Sequence, residues 1–357
     1  MQDIPVAIEK VEQYSILIEE GLLDFIGKHI QGLKNPSRAF VITEDRVNHL
    51  YGARVVESLL KVGILSDVLT VPEGETSKSL ATADWLYERL LAAGAARRDV
   101  IVAMGGGMIM DLAGFVAATY MRGLPYVNLP TSLVAQLDAG IGGKVAVNHA
   151  RGKNIIGAFY HPSAIYIDPS LLATLPVPNI LDGLSEAIKV AVINSEALFE
   201  FIESRHEDLI AREITALSTL INGAVKSKLQ LLIPDPFEID LKRALNFGHT
   251  IGHVLETLTA YLTLSHGQAV SIGMATATRL AVSEGMCDRP AADRIITLLE
   301  KVGLPVTAKG VDRAEVKRGL RVIEAVRGRA LNYVIPNGVG SWSIIENVSF
   351  DHIVEHL

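Results

Sequence analysis

The sequence predicts an α/β protein in two parts, a parallel-sheet half followed by a mostly helical half. Up to about residue 176, short β-rich runs alternate with helical patterns, which is how βαβ units around a parallel sheet read. From Pro178 onward, long helical periodicities take over. The 357-residue length is more than one hydrophobic core usually serves, since cores stop growing at roughly 250–300 residues. These observations predict a sheet-bearing unit over 1–176 and a helical unit over 177–357, with the cleft between them as the default site.

Taken in order, Ala39-Phe40-Val41-Ile42 reads as a buried strand and Asp45 to Val62 as the helix that follows. Val68 to Val71 and Val100 to Met104 repeat the strand theme. In the second half, helical spacing of apolar residues covers Leu181–Ile193, Leu198–Ser204, Ile214–Leu232, Leu245–Tyr261, Gly267–Glu284 and Ala291–Val302. Turn signals at Pro234-Asp235-Pro236 and Arg289-Pro290 punctuate them. Near the end, Leu331 to Ile335 and Trp342 to Ile345 flank Pro336-Asn337-Gly338, which predicts a small hairpin.

Composition excludes several classes. With 49% hydrophobic and 20% charged residues the chain can bury enough apolar surface to fold, so disorder is excluded. The 33 basic residues against 40 acidic ones, a net charge of −7, give no basic footprint for nucleic acid. The uncharged runs Gly123–Leu137 and Asn154–Ile167 contain proline and fall short of the roughly 20 residues needed to span a bilayer. The first residues lack a basic stretch followed by an apolar one, and Cys287 is the single cysteine, so no internal disulfide forms and a reducing cytoplasm is expected.

The residues that carry chemistry cluster. Gly105-Gly106-Gly107 leaves the strand Val100–Met104 and enters a helix at Met108-Ile109-Met110-Asp111. Such a turn lets backbone N–H groups approach a pyrophosphate, although Met110 breaks the GxGxxG pattern. Gly142-Gly143-Lys144 is not a P-loop, because Asp138 stands where glycine is required and Val145 where Ser or Thr is. His249 and His253 share one helical face, with Thr250 where a zincin would have Glu, and His266 opens the next helix. Glu186 and Lys189 project together from an earlier helix. One Glu and two His leave an open position on a divalent metal, as catalytic zinc sites do. Lys144, Lys153 and Asn154 supply donors suited to a phosphate or carboxylate.

Together these segments resemble the 3-dehydroquinate synthase family of sugar-phosphate cyclases. The resemblance rests on Gly105 through Phe115, Pro130-Thr131 with Asp138, Gly142-Gly143-Lys144 with Val147-Asn148-His149, Gly152-Lys153-Asn154, Glu186-Ala187-Ile188-Lys189, and Leu245 through His253. It implies a Rossmann-like NAD-binding N-terminal domain, a helical metal- and substrate-binding C-terminal domain and a homodimer. By the same resemblance Glu186, His249 and His266 ligate zinc or cobalt, and His253 sits beside the leaving phosphate. Asp138, Lys144, Asn154, Lys189, Lys228, Lys242 and Asn246 contact substrate, and Arg122 reaches the partner subunit's site. Glu44, Glu75, Lys78, Gly106, Gly107, Asp111, Thr131, Ser132, Lys153 and Thr174 match nucleotide-side positions. Glu44 stands where the family usually has Asp, and Arg46 where it usually has Asn; a carboxylate at 44 disfavours a 2′-phosphate and so favours NAD.

The implied reaction oxidises a substrate hydroxyl with NAD, eliminates phosphate from the neighbouring carbon, returns the hydride and closes the ring by aldol addition. Two departures bear on substrate. Lys242, with Arg243 beside it, occupies the position where dehydroquinate-forming members carry Arg, and a lysine lacks the bidentate fork. The family's Asp-Lys-Lys near the C-terminus is absent from Val322–Gly328, leaving Arg321, Arg327 or Arg329 as replacements. Lys228 and Lys242 as two cations favour a carboxylate-bearing substrate, 3-deoxy-arabino-heptulosonate 7-phosphate. The alternative is a specialised cyclase of secondary metabolism acting on sedoheptulose 7-phosphate or an amino analogue. A metal-dependent polyol dehydrogenase and a non-catalytic binding protein are the competing classes.

Overall fold

The computed structural model describes residues 13–150, 152–237, 244–259, 263–327 and 332–357. The first half runs β1 (Ser15–Ile18), α1 (Ile26–Lys34), β2 (Arg38–Glu44), α2 (Asp45–Val47), α3 (Ala53–Leu60), β3 (Leu65–Val71), α4 (Leu80–Ala92), β4 (Val100–Gly105), α5 (Gly107–Thr119), β5 (Tyr126–Pro130), β6 (Lys144–His149), β7 (Gly152–Phe159) and β8 (Ala164–Ile167). The second half runs α6 (Val177–Asn194), α7 (Glu196–Ile210), α8 (Ile214–Leu232), α9 (His249–Leu258), α10 (His266–Ser283), α11 (Arg289–Lys301), α12 (Arg313–Arg327), β9 (Tyr333–Gly338), β10 (Ser341–Ile345) and α13 (Phe350–Glu355).

Six strands form one sheet in the order β1-β8-β5-β4-β2-β3, and every pairing in it is parallel. A parallel sheet needs both faces covered, which is why β4 reads as an unbroken apolar run and is buried throughout. The alternation along β2 serves two cores: Phe40 and Ile42 pack with α4 and α5, while Ala39 and Val41 pack with α1 and α3. The helical half has its own core, built on α6, α8, α9 and α10. The chain leaves β2 outward to β3 and then returns to β4 on the other side of β2. That reversal opens a crevice at the carboxyl ends of β2 and β4, the usual ligand position in such sheets.

Three expectations need correction. The helix read over Leu245–Tyr261 begins at His249, because Ala244–Asn246 is a 3-10 turn and Gly248 is left-handed at φ 78°. The helix read from Asp45 to Val62 contains a π-helical turn at Asn48–Gly52 and ends at Leu60. The hairpin's strand β9 runs through Pro336-Asn337-Gly338, and its turn comes at Val339-Gly340, where Gly340 has φ 83°. Polar residues Lys144, Lys153 and Asn154 lie on the antiparallel ribbon β6–β7.

Candidate active site between the sheet edge and the helical half

Glu186 projects from the middle of α6, wholly buried. His249 opens α9 and His266 opens α10, so both rings sit at helix starts. Glycine allows those two helices to approach closely: a Cβ on Gly273 of α10 would lie 1.9 Å from the Gly248 carbonyl oxygen. A capping box between Ser265 and Gln268 fixes the first turn of α10. Asp182 of α6 adds to it, accepting from the Gly267 N–H at 3.0 Å and from the Ser265 hydroxyl.

The three side chains converge. His266 Nε2 lies 3.0 Å and His249 Nε2 3.4 Å from Glu186 Oε1. One ligand atom from each residue falls within 4.8 Å of the other two. The far nitrogens are also engaged: His249 Nδ1 lies 3.1 Å from the Phe247 carbonyl and His266 Nδ1 lies 3.0 Å from Glu256 Oε1. Anchoring Nδ1 in this way aims Nε2 at a common point, as second-sphere acceptors do for metal-bound histidines. The donor set therefore fits a divalent cation. Burial works against charge on His266, but Glu186 and Glu256 more than offset it and hold the imidazolium to about pH 10. His253, one turn after His249 on α9, is pushed down to about 3 by burial and by His249 beside it, so its ring is neutral.

Beside this set lies a chain of alternating charges. Lys189, nearly inaccessible, pairs with Glu186 and with Asp138 Oδ2 at 3.0 Å. Lys228 pairs with the other Asp138 oxygen and donates to the Asp138 and Ile141 carbonyls at 2.6 and 3.2 Å. Burial alone would discharge Asp138 and Glu186, yet Lys189 reverses this and lowers both. Lys189 in turn is held charged by Asp138 and Glu186 against its own desolvation. For Lys228 burial prevails and its affinity for the proton falls.

On the sheet side, Glu44 ends β2 next to the β4 terminus, with Thr43 registered against Met104. Burial and the nearby Glu73 raise its carboxyl above the usual range. Gly106 and Gly107 lead into α5, and Thr131 follows β5 with its N–H bonded to the Gly105 carbonyl at 2.9 Å. Ser132 Oγ lies 3.5 Å from where a Cβ on Gly106 would stand, which places Ser132 beside the start of α5. Lys78, fully buried, pairs with Asp111 and lies 3.7 Å from Glu75 Oε1. Lys153 of β7 lies 3.8 Å from Glu75 and 3.5 Å from Glu256, and so joins the two halves. Thr174 closes the turn after β8, its hydroxyl 2.5 Å from the Tyr51 hydroxyl.

Of the residues read from sequence, Asp138, Lys189, Lys228, Glu186, His249, His266, Lys153, Glu75, Lys78 and Asp111 thus form one connected series. Lys144 and Asn154 are exposed on the ribbon, the latter left-handed at φ 58°. Asn246 ends the 3-10 turn before His249. Arg122 is exposed in the left-handed turn after α5. Arg321 is exposed on α12, which ends at Arg327. Lys242 and Arg329 lie outside the described residues. Two residues escaped the sequence reading, Asp182 and Glu256. The signal for Glu256 was present, since 249, 253 and 256 follow the i, i+4, i+7 spacing of one helix face.

Fold and site together define the class: a Rossmann-like sheet half with a crevice at its strand-order reversal, joined to a helical half that presents a one-Glu, two-His ligand set. The chain belongs to the 3-dehydroquinate synthase family, whose N-terminal model matches residues 68–182 and whose C-terminal model matches 183–324. It is 40% identical to a 2-epi-valiolone synthase of Stigmatella aurantiaca over 96% of this chain and 87% of that one. It is 41% identical to a 3-dehydroquinate synthase of Pelotomaculum thermopropionicum over 100% of this chain and 96% of that one. Among solved structures it is similar to ValA, a 2-epi-5-epi-valiolone synthase from Streptomyces hygroscopicus subsp. jinggangensis with NAD+ and Zn2+ bound. That match has a TM-score of 0.91 at 28% identity, covering 99% of this chain and 98% of the other. No helix among the described residues is long and apolar enough to cross a membrane.

Proposed function

We propose that the chain is an NAD- and divalent-metal-dependent sugar-phosphate cyclase, a carbon–oxygen lyase that converts a seven-carbon sugar phosphate to a carbocycle and releases phosphate. The observation that carries this is the convergence of Glu186, His249 and His266 beside the buried Lys189–Asp138–Lys228 series. Glu186, His249 and His266 would hold Zn2+ or Co2+, and the crevice at Glu44 and Gly105–Gly107 would hold NAD+. When bound, the metal acidifies a substrate hydroxyl and polarises a carbonyl, and NAD takes and returns one hydride.

The chain's own residues supply the rest. Lys189 and Asp138 lie against the metal set, placed to hold the substrate's hydroxyl groups and to stabilise charge that develops on its oxygens. Neutral His253 donates or accepts a hydrogen bond without adding charge, which suits a position beside the departing phosphate. Lys144, Asn154, Asn246 and Arg122 contact the substrate and its phosphate, Arg122 from the partner of a homodimer, and Lys242 completes the set. The leaving phosphate can itself take the proton from the neighbouring carbon, so no separate protein base is required. A polyol dehydrogenase has no need of this cationic set, and a non-catalytic descendant would not retain the metal ligands.

The head group of the substrate is where a specific observation favours the second reading. The carboxylate-bearing sugar suits cations that need an anion, but Lys228 already has one in Asp138 and two carbonyls besides. A substrate carboxylate there would meet the Asp138 carboxylate at close range in a desolvated site, an unfavourable like-charge contact. We therefore assign sedoheptulose 7-phosphate over 3-deoxy-arabino-heptulosonate 7-phosphate, and a cytoplasmic role in secondary metabolism over the shikimate pathway. Phosphate release by pure protein with Zn2+ or Co2+ and NAD+ on each sugar tests this. Turnover of the carboxylate sugar with none of sedoheptulose 7-phosphate refutes the head-group assignment; NADH accumulating in step with turnover refutes the cyclase.

A further inference from the structure

We propose that Glu256 is the positioning residue of the metal centre, and that Lys153 makes its hold on His266 depend on the nucleotide side, so that divalent metal and NAD+ bind cooperatively. This rests on the reading that Glu186, His249 and His266 bind a divalent cation.

Glu256 lies on the α9 face that also carries His249 and His253, with its side chain only 3% exposed. Its Oε1 is 3.0 Å from His266 Nδ1 and 3.5 Å from Lys153 Nζ. Its Oε2 is buried without a hydrogen-bond partner among the described residues. A buried acceptor left unsatisfied is costly and marks a constraint other than packing. The constraint here is the imidazole: a carboxylate on Nδ1–H fixes the tautomer that presents Nε2 to the metal and makes that nitrogen a stronger donor.

Lys153 competes for the same oxygen. It stands between Glu256 and Glu75, and Glu75 Oε1 is already engaged by Asn148 Nδ2 at 2.8 Å and faces Lys78 at 3.7 Å. Lys78 is committed to Asp111. Lys153 is therefore the cation of this group that has acidic partners on opposite halves of the molecule, Glu75 at 3.8 Å and Glu256 at 3.5 Å. A dinucleotide in the crevice brings two phosphate charges to the Glu75–Lys78–Asp111 side, which draws Lys153 away from Glu256. The Glu256 charge then acts on His266 alone, and the metal binds more tightly. Linkage requires the converse, that metal tightens NAD+ by the same factor.

The experiment is Zn2+ competition against a chromophoric chelator, on metal-stripped full-length protein at neutral pH, with and without NAD+ saturating each variant. Glu256→Gln should weaken Zn2+ binding roughly ten- to a hundredfold, the usual cost of losing a second-sphere partner, with Glu256→Asp between it and the parent. NAD+ should tighten Zn2+ about fivefold or more in the parent and leave Lys153→Met nearly unchanged. Unaltered Zn2+ affinity in Glu256→Gln overturns the positioning role, and an equal NAD+ effect in the parent and Lys153→Met overturns the coupling. His249→Ala separates these from failure of the metal reading itself: if it too binds Zn2+ as the parent does, the ligand set is wrong. Should Glu256→Gln not fold, nitrogen-15 shifts of His266 in the Zn2+-loaded parent decide, Nδ1–H being required and Nε2–H overturning the proposal.

Discussion

Replacing Lys189 by Met removes a cation from a place where two carboxylates depend on it. Its ammonium lies 3.0 Å from Asp138 and in contact with Glu186, and the Lys189 and Glu186 side chains are 2% and 0% exposed. Water cannot take over, so the variant leaves Glu186 ionised without its main partner or forces it to bind a proton. Breaking a buried pair from one side costs about 3–5 kcal/mol, a large part of the roughly 5–15 kcal/mol by which domains are stable. Urea unfolding of metal-stripped protein at neutral pH measures this loss. Two controls make the result specific. Glu186→Gln in the Lys189→Met background should restore part of the loss, because the stranded charge is then gone, so the two changes are non-additive. Zn2+ should likewise restore stability to Lys189→Met more than to the parent, since a dication compensates Glu186 in place of the ammonium. Strict additivity, or a loss below about 1 kcal/mol, would show that Glu186 does not rely on Lys189 and would refute the reasoning.

Three further outcomes follow from the same geometry. In metal-free protein His266 is held protonated to about pH 10 against 6.5 as its ordinary value; its contribution to stability is therefore complete below about pH 6.5 and is lost as pH rises through 10, a decline that chemical denaturation across this range should register and that His266→Gln should lack. Gly273→Ala sets a methyl against the Gly248 carbonyl and should destabilise by about 1–3 kcal/mol while also weakening Zn2+, because α9 and α10 must part; a thermal shift without any change in Zn2+ affinity would separate the helix contact from the site. Lys228→Met should lower phosphate release from both candidate sugars by similar factors, since its ammonium serves Asp138; a selective loss on the carboxylate sugar would restore the head-group role.

How much of this was legible in the sequence depends on which interactions decide each feature. The parallel sheet was readable because the inner strands β2 and β4 must be apolar on both faces, and such runs stand out in any sequence. The short edge strand β1 was not: four partly exposed residues carry little pattern, and its place beside β8 is settled by pairing at a distance of about 150 residues along the chain. The ribbon β6–β7 was hard to read because β6 is short, with only Val145 and Val147 buried in alternation, and β7 has no buried residue to give a pattern. The start of α9 was misplaced because helical spacing continues smoothly through Leu245 to Phe247, whereas the break is made by contact of Gly248 with α10. Among the site residues, the ligand set was legible because its chemistry is rare. Asp182 was not, since a single acidic residue on a helix is commonplace until its partner is known; Glu256 was marked only by sharing the helix face of His249 and His253.

The charge arrangement explains why the two halves are specified together. From Asp111 through Lys78, Glu75, Lys153, Glu256, His266, Glu186, Lys189 and Asp138 to Lys228, acids and bases alternate in one series from the sheet's carboxyl edge to α8. Each buried member would be costly alone. In series, each has a partner, and among these ion pairs the longest joins Lys153 to Glu75, at 3.8 Å. A site of this kind tolerates the arrival of new charge only where it can redistribute. On the proposed reading the nucleotide's phosphates and a divalent cation would enter on opposite sides of that link, so each would change what the other meets. The same alternation leaves Lys228 already neutralised at the far end; on the proposed reading, a substrate without a carboxylate would suit this chain better than one that adds a further anion to a series that is already closed.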